Sequence, residues 1–150
     1  MKKKMVTLVA AVMMVIATTY AQNTQTGVNE KVINAFAKKF AQATNPSWEF
    51  TDAYFKASFQ WNGQNLTSFF TKDGDLMGIT RNIYSTELPI NLRISLTENY
   101  SQFWISELFE YAKEGTTKYY VTIENATEKI HLESVGTYEW SAYKKASKTI

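Results

Sequence analysis

His131 is the one residue in this chain suited to acid–base work near neutral pH, and it lacks the company such work needs. A zinc or copper site takes several nitrogen or sulfur ligands, and the sequence has no cysteine and no second histidine. A serine nucleophile would have only His131 as its base, and no glycine-flanked serine elbow occurs. His131 is therefore read as a strand residue facing Thr122. Glu107 with Glu110, and Glu124 with Glu133, have the residue type for paired-carboxylate glycoside chemistry. On solvated faces they read as partners for lysines. Asp73-Gly74-Asp75 opens like a calcium loop but lacks the full series of oxygen ligands, so it reads as a turn. No glycine-rich phosphate cradle is present. The expectation is a non-enzyme with no catalytic residues, no metal site and no cofactor.

The residues with functional potential are instead those that strands would present. Tyr54 to Trp61 alternates, with Phe55, Ala57, Phe59 and Trp61 on one face and Tyr54, Lys56, Ser58 and Gln60 on the other. Asn62-Gly63 is a strong two-residue hairpin signal, because both positions tolerate positive φ. It sets Phe59 opposite Leu66, Ala57 opposite Ser68 and Phe55 opposite Phe70. Asp73-Gly74 turns the chain again, with Thr71 facing Leu76, so that Met77 and Ile79 join the same apolar face. After Gly115, Tyr119, Val121 and Ile123 are answered by Ile130 and Leu132 across a turn at Ala126-Thr127. That register places Glu124 beside Lys129, Thr122 beside His131 and Tyr120 beside Glu133. Gly136 marks a last turn into Tyr138 to Tyr143. One face thus collects Tyr54, Lys56 and Phe69 in the first half and Tyr120, Thr122, His131 and Glu133 in the second. Antiparallel sheets tolerate an open face, and aromatic rings there make good interface anchors. These seven are the candidate partner-binding residues.

Helices must cover the other face. Val32, Phe36 and Phe40 recur every four residues, with Ile33, Ala37 and Ala41 alongside. Asn29 is a suitable N-cap, Val28 can staple onto Ile33, and Asn45-Pro46 is expected to stop the helix. Leu88-Pro89 opens a second helix with Leu92, Leu96 and Tyr100 on one face. The stretch Phe103 to Lys113 is ambiguous, and local propensity leans towards helix. Each half then offers a helix followed by aromatic-rich hairpins. The expected fold is α+β, a tandem repeat of helix plus antiparallel sheet, each sheet with one helix-packed face and one more open face.

The organisation expected is a leader over 1–21, a flexible lead-in over 22–28, a single domain over 29–145 and a tail over 146–150. Its two repeats would span about 29–87 and 88–145. The leader rests on Lys2, Lys3 and Lys4, an apolar run from Met5 to Ala17, and a small-residue cleavage pattern ending at Ala21 before Gln22. That run is shorter than the ~20 residues a membrane helix needs. Removing it takes three of the sixteen basic residues, leaving thirteen against fourteen acidic ones, a net charge of −1. A nearly neutral domain gives no electrostatic case for nucleic acid. With no cysteine behind the leader there is no lipid-modified anchor, so a periplasmic or secreted protein is expected after cleavage near Ala21/Gln22. Lys144, Lys145 and Lys148 read as a solvated tail.

The chain resembles the secreted PepSY-like proteins with a β-lactamase-inhibitor-like (BLIP-like) fold. The residues carrying the resemblance are Phe36 to Phe40, Asn45-Pro-Ser-Trp48, Tyr54-Phe-Lys-Ala-Ser-Phe59, Asn62-Gly63, Phe70-Thr-Lys-Asp-Gly74, Leu88-Pro89, Tyr119-Tyr-Val-Thr-Ile123 and Gly136. They cover roughly residues 29 to 140. The resemblance implies that Phe103 to Lys113 is a strand. It also implies a non-catalytic, exported binding or inhibitory module, with an extracytoplasmic protein or peptide as partner and peptidases or hydrolases as the kind of protein inhibited. The alternative is a carrier of a small ligand or peptide with a pocket between sheet and helices.

Overall fold

The computed structural model describes residues 27–148; the expected leader, the first part of the lead-in and the last two residues lie outside them. Eight strands follow one another in the chain: β1 (Thr44–Phe50), β2 (Phe55–Trp61), β3 (Gln64–Phe70), β4 (Leu76–Asn82), β5 (Trp104–Lys113), β6 (Thr116–Glu124), β7 (Glu128–Val135) and β8 (Glu139–Ser147). Helix α1 (Glu30–Lys39) precedes β1, and α2 (Ile90–Asn99) lies between β4 and β5.

The strands form a single antiparallel sheet in sequence order, β1 to β8. This overturns the expected tandem repeat of a helix on its own sheet. The joining contact is β4 with β5, through the pairs Ile79↔Ala112, Thr80↔Tyr111, Arg81↔Glu110 and Asn82↔Phe109. Two separate sheets would each leave an edge of unpaired N–H and C=O groups at this point. Pairing β4 with β5 satisfies both edges and makes the sheet continuous. The α+β description stands, with strands as the dominant element and two short helices on one face.

The β2–β3 hairpin adopts the register that alternation predicts, Phe59↔Leu66, Ala57↔Ser68 and Phe55↔Phe70, with Asn62 and Gly63 both at positive φ. The β6–β7 hairpin likewise pairs Tyr120↔Glu133, Thr122↔His131 and Glu124↔Lys129. Met77 departs from expectation. Phe70 pairs with Leu76 and Phe69 with Gly78, so a bulge at Met77 turns its side chain to the face opposite the helices.

Asn29 caps α1, its Oδ1 accepting from Val32 N at 3.0 Å. The buried stripe is Val32, Phe36 and Phe40; Ile33, Ala37 and Ala41 are exposed, so the apolar face is narrower than the sequence suggests. Phe36 is the hub, in ring contact with Phe40, Trp48, Phe59 and Phe70 at 5.3, 5.1, 4.9 and 6.4 Å. The helix ends at Phe40. Asn45-Pro46 falls inside β1, where a register shift leaves Asn45 at φ 53°. A proline without an N–H is tolerated there because β1 is an edge strand.

Under α2, Leu92 and Leu96 pack on Leu108, Val121, Ile123, Ile130 and Leu132. Trp140 ties β8 to this helix, its Nε1 donating to Leu92 O at 2.9 Å. Strand β8 continues to Ser147, so Lys144 and Lys145 belong to an edge strand. Lys148 Nζ reaches Glu124 at 2.8 Å. Among the described residues no helix is long and apolar enough to cross a membrane.

Candidate functional site

Both helices pack on one side of the sheet, and the second face carries neither of them. Alternation from the observed registers brings Lys56, Phe69, Phe109, Tyr111, Tyr120, Thr122, His131 and Glu133 to that face. Two bulges add to it. The one at Met77 supplies that side chain, and the one between His131 and Leu132 in the β7–β8 pairing accommodates Tyr143.

The aromatic rings on this face are packed against one another. Tyr54 and Phe69 meet edge-to-face at 5.7 Å, beside Met77, and both are buried. Tyr120 lies at the centre of a second group. It stacks on Phe109 at 5.2 Å and 13°, and it meets Tyr111 and Tyr143 edge-on at 6.5 and 6.1 Å. Tyr120 and Thr122 are buried, whereas Lys56, His131 and Glu133 are half-buried. The seven sequence candidates therefore divide into a ring-and-hydroxyl bed and a set of polar tips above it.

Polar contacts hold the tips in place. Tyr120 Oη donates to Glu133 Oε2 at 3.4 Å, and Lys118 Nζ pairs with the same oxygen at 3.3 Å. Lys56 Nζ pairs with Glu49 at 3.1 Å. Thr122 Oγ1 donates to Glu107 Oε2 at 3.3 Å and sits 3.0 Å from His131 Nδ1. Burial pushes the phenol of Tyr120 above its ordinary pKa, and the Glu133 carboxylate adds to the effect. Tyr143 is raised by burial and then by Glu107 and Glu133. His131 is pushed down, first by burial and then by Lys144 and Lys129.

Chemically the face is a hydrogen-bonding and ionic surface. Glu107–Thr122–His131 forms a row, but its central hydroxyl is buried under its neighbours. Glu107 and Glu110 point to opposite faces: Glu107 reaches Thr122, and Glu110 pairs with Arg81 at 3.2 Å. Glu124 is engaged by Lys129 and Lys148 at 2.9 and 2.8 Å, which hold its carboxyl down at about 2. Neither carboxylate pair forms the open dyad that glycoside hydrolysis uses. Among the described residues no group of three or more histidine and acidic side chains is placed to hold a metal ion.

Sequence reasoning missed a second feature of the same face. A groove of about 720 Å³ lies over β1 to β4, lined by outward side chains that include Ser58, Gln60, Asn65, Thr67, Thr80 and Asn82, with Tyr84 at one end. Its signal was legible as the neutral polar half of the β2 and β3 alternation. The space between α1 and the sheet, where the carrier alternative put a pocket, is filled by the Phe36 ring cluster.

An open antiparallel sheet backed on one face by two short helices is a BLIP-like fold. The chain superposes on a BLIP-like protein from Bacteroides fragilis with a TM-score of 0.63 and 21% identity, covering 87% of this chain and 90% of that one. A DUF2874 family protein from Bacteroides uniformis aligns with a TM-score of 0.69, 15% identity and coverage of 79% and 88%. A protein from Bacteroides eggerthii, described as a candidate periplasmic protein, aligns at 0.69 and 16% identity, covering 80% and 88%. No protein-family model and no curated protein sequence matches the chain.

Proposed function

We propose that this chain is an exported, non-catalytic binding module of the PepSY-like group that captures an extracytoplasmic protein on the helix-free face, as an inhibitor of a peptidase or hydrolase. The observation that carries the reading is the layered build of that face. Rings of Tyr54, Phe69 and Tyr120, in mutual contact with their neighbours, form a rigid bed beneath Lys56, His131 and Glu133. In this reading the buried members and Thr122 position the polar tips, and the tips meet the partner. Side chains already held by ring packing and ion pairs lose little freedom on binding, which favours affinity. The description of one structural neighbour as BLIP-like and of another as a candidate periplasmic protein supports the same reading.

The test is affinity capture from extracytoplasmic extract with the mature protein, alongside the triple variant Lys56→Glu, Glu107→Arg, Lys144→Glu. These positions lie above the ring bed, and the substitutions give up the Glu49 ion pair and the Thr122 hydrogen bond, so the variant should stay folded with a midpoint lowered by a few degrees and lose the captured protein. Undiminished capture by the folded variant would refute the assignment of this face.

A further inference from the structure

We propose that the groove over β1 to β4 is a binding site for a neutral, hydroxyl-rich ligand, a short oligosaccharide. This site is separate from the ring bed and does not rest on the protein-binding reading.

The lining chemistry selects the ligand class. The side chains of Gln60, Asn65, Thr80 and Asn82 line the groove and make no hydrogen bond with the rest of the described chain. Carboxamides and hydroxyls each both donate and accept, which is what a sugar hydroxyl, itself donor and acceptor, requires. Ser58 and Thr67 add two more hydroxyls, 3.4 Å apart. Among the described residues no acidic side chain lines the groove, so a cation finds nothing there to attract it. Arg81 is the one charged lining residue among them, and its guanidinium is occupied on both arms, by Glu87 at 2.9 Å and Glu110 at 3.2 Å. A phosphate or carboxylate ligand would have to displace those carboxylates.

Tyr84 supplies the second element of a sugar site. It lines the end of the groove and its residue is 80% exposed, the most of any large apolar residue described. Its backbone is fixed: the N–H donates to Glu87 Oε2 at 2.8 Å, and the carbonyl accepts from Glu87 N at 2.9 Å. An uncovered ring on a pinned backbone is a platform for the C–H face of a pyranose, while the amides take the hydroxyls at its rim. The volume falls in the range of small-ligand sites, which is roughly 300–1,000 Å³. The Asn45-Pro46 bulge interrupts the β1 ladder beside the groove, and Pro46 offers no N–H there. An extended peptide seeking backbone pairs is correspondingly disfavoured.

The experiment is an NMR titration of the mature chain with a panel of neutral oligosaccharides built from glucose, mannose, galactose, xylose and N-acetylglucosamine. Trigalacturonate and an uncharged tripeptide serve as comparators. At least one neutral sugar should shift the side-chain amide signals of Gln60, Asn65 and Asn82. Tyr84→Ala should weaken it about tenfold, and Asn65→Ala about fivefold. Both positions are exposed, so both variants should keep the wild-type thermal midpoint. Failure of every neutral sugar at high millimolar concentration overturns the proposal. So does binding indifferent to Tyr84→Ala, or a peptide or anion that shifts these amides when the sugars do not.

Discussion

Gly78 carries a sharp test of how the two halves of the sheet are joined. It lies in β4 with no room above it: a Cβ built there would come within 2.5 Å of Tyr111 Cζ and 2.6 Å of its Oη. Tyr111 reaches across from β5 and cannot easily give way. Its Oη donates to Met77 O at 2.7 Å, and its ring meets Tyr120 edge-on. In Gly78→Ala the ring must shift, at an overpacking cost of about 1–3 kcal/mol. The shift also breaks the Met77 hydrogen bond, worth about 1 kcal/mol. The sum is about 2–4 kcal/mol, or roughly a 10 °C fall in midpoint for a domain of this size. Urea unfolding of Gly78→Ala, Tyr111→Ala and the double variant measures it. With the ring removed, the alanine should cost nothing, giving a coupling of about 2 kcal/mol or more. A cost below about 0.5 kcal/mol in the native background, or the same cost with and without the ring, would refute the argument.

Ser68 Oγ is buried on the helix-covered face of the sheet, between Ala57 and Ile79 of the neighbouring strands, with no hydrogen-bond partner among the described residues. Ser68→Ala should therefore raise stability by about 1 kcal/mol in denaturant unfolding. The folded carboxyl of Glu124 is held at about 2 against an ordinary 4.5, so its stabilisation is present above pH 4.5 and is lost as the pH falls towards 2. Glu124→Gln should cost about 1 kcal/mol at pH 7 and nothing at the acid end, read as denaturant midpoints along that range. Tyr120 has the opposite sign: with its folded pKa raised, it contributes stability below pH 10 that is lost as the pH climbs above that value. Tyr120→Phe should accordingly flatten the alkaline loss of stability, followed by circular dichroism against pH. The proposed export predicts that mass spectrometry of the protein recovered from the extracytoplasmic fraction will find Gln22 at its N-terminus.

Much of the local structure was legible in the residues. Period-two alternation and Asn62-Gly63 specify the β2–β3 register, because slipping one residue would turn every phenylalanine to the wrong face. Asn29 and the four-residue spacing of Val32, Phe36 and Phe40 mark α1. The segment Phe103 to Lys113 is the contrary case, since Ile105, Leu108, Phe109 and Ala112 suit a helix equally well. In the fold Phe103 packs against the core under α2, and the strand proper starts at Trp104. What makes the segment β5 is two neighbours with open edges, β4 and β6. Their ladder bonds outweigh a few tenths of a kcal/mol of propensity per residue.

By itself, the sequence determined which residues alternate, where the hairpins turn and which stripe of α1 is apolar, because these depend on neighbours a few positions away. It also placed the seven candidate residues on one face, with no means of telling how deeply they sit. Tertiary structure alone decided that the strands form one sheet, since that depends on β4 meeting β5 across a separation of about thirty residues. It likewise decided that Tyr54, Phe69 and Tyr120 are buried, because their cover comes from Met77 and Tyr143, which bulges turn to that face. A bulge adds one residue to a strand and reverses the facing of the residues after it, and alternation cannot announce where it will be interrupted.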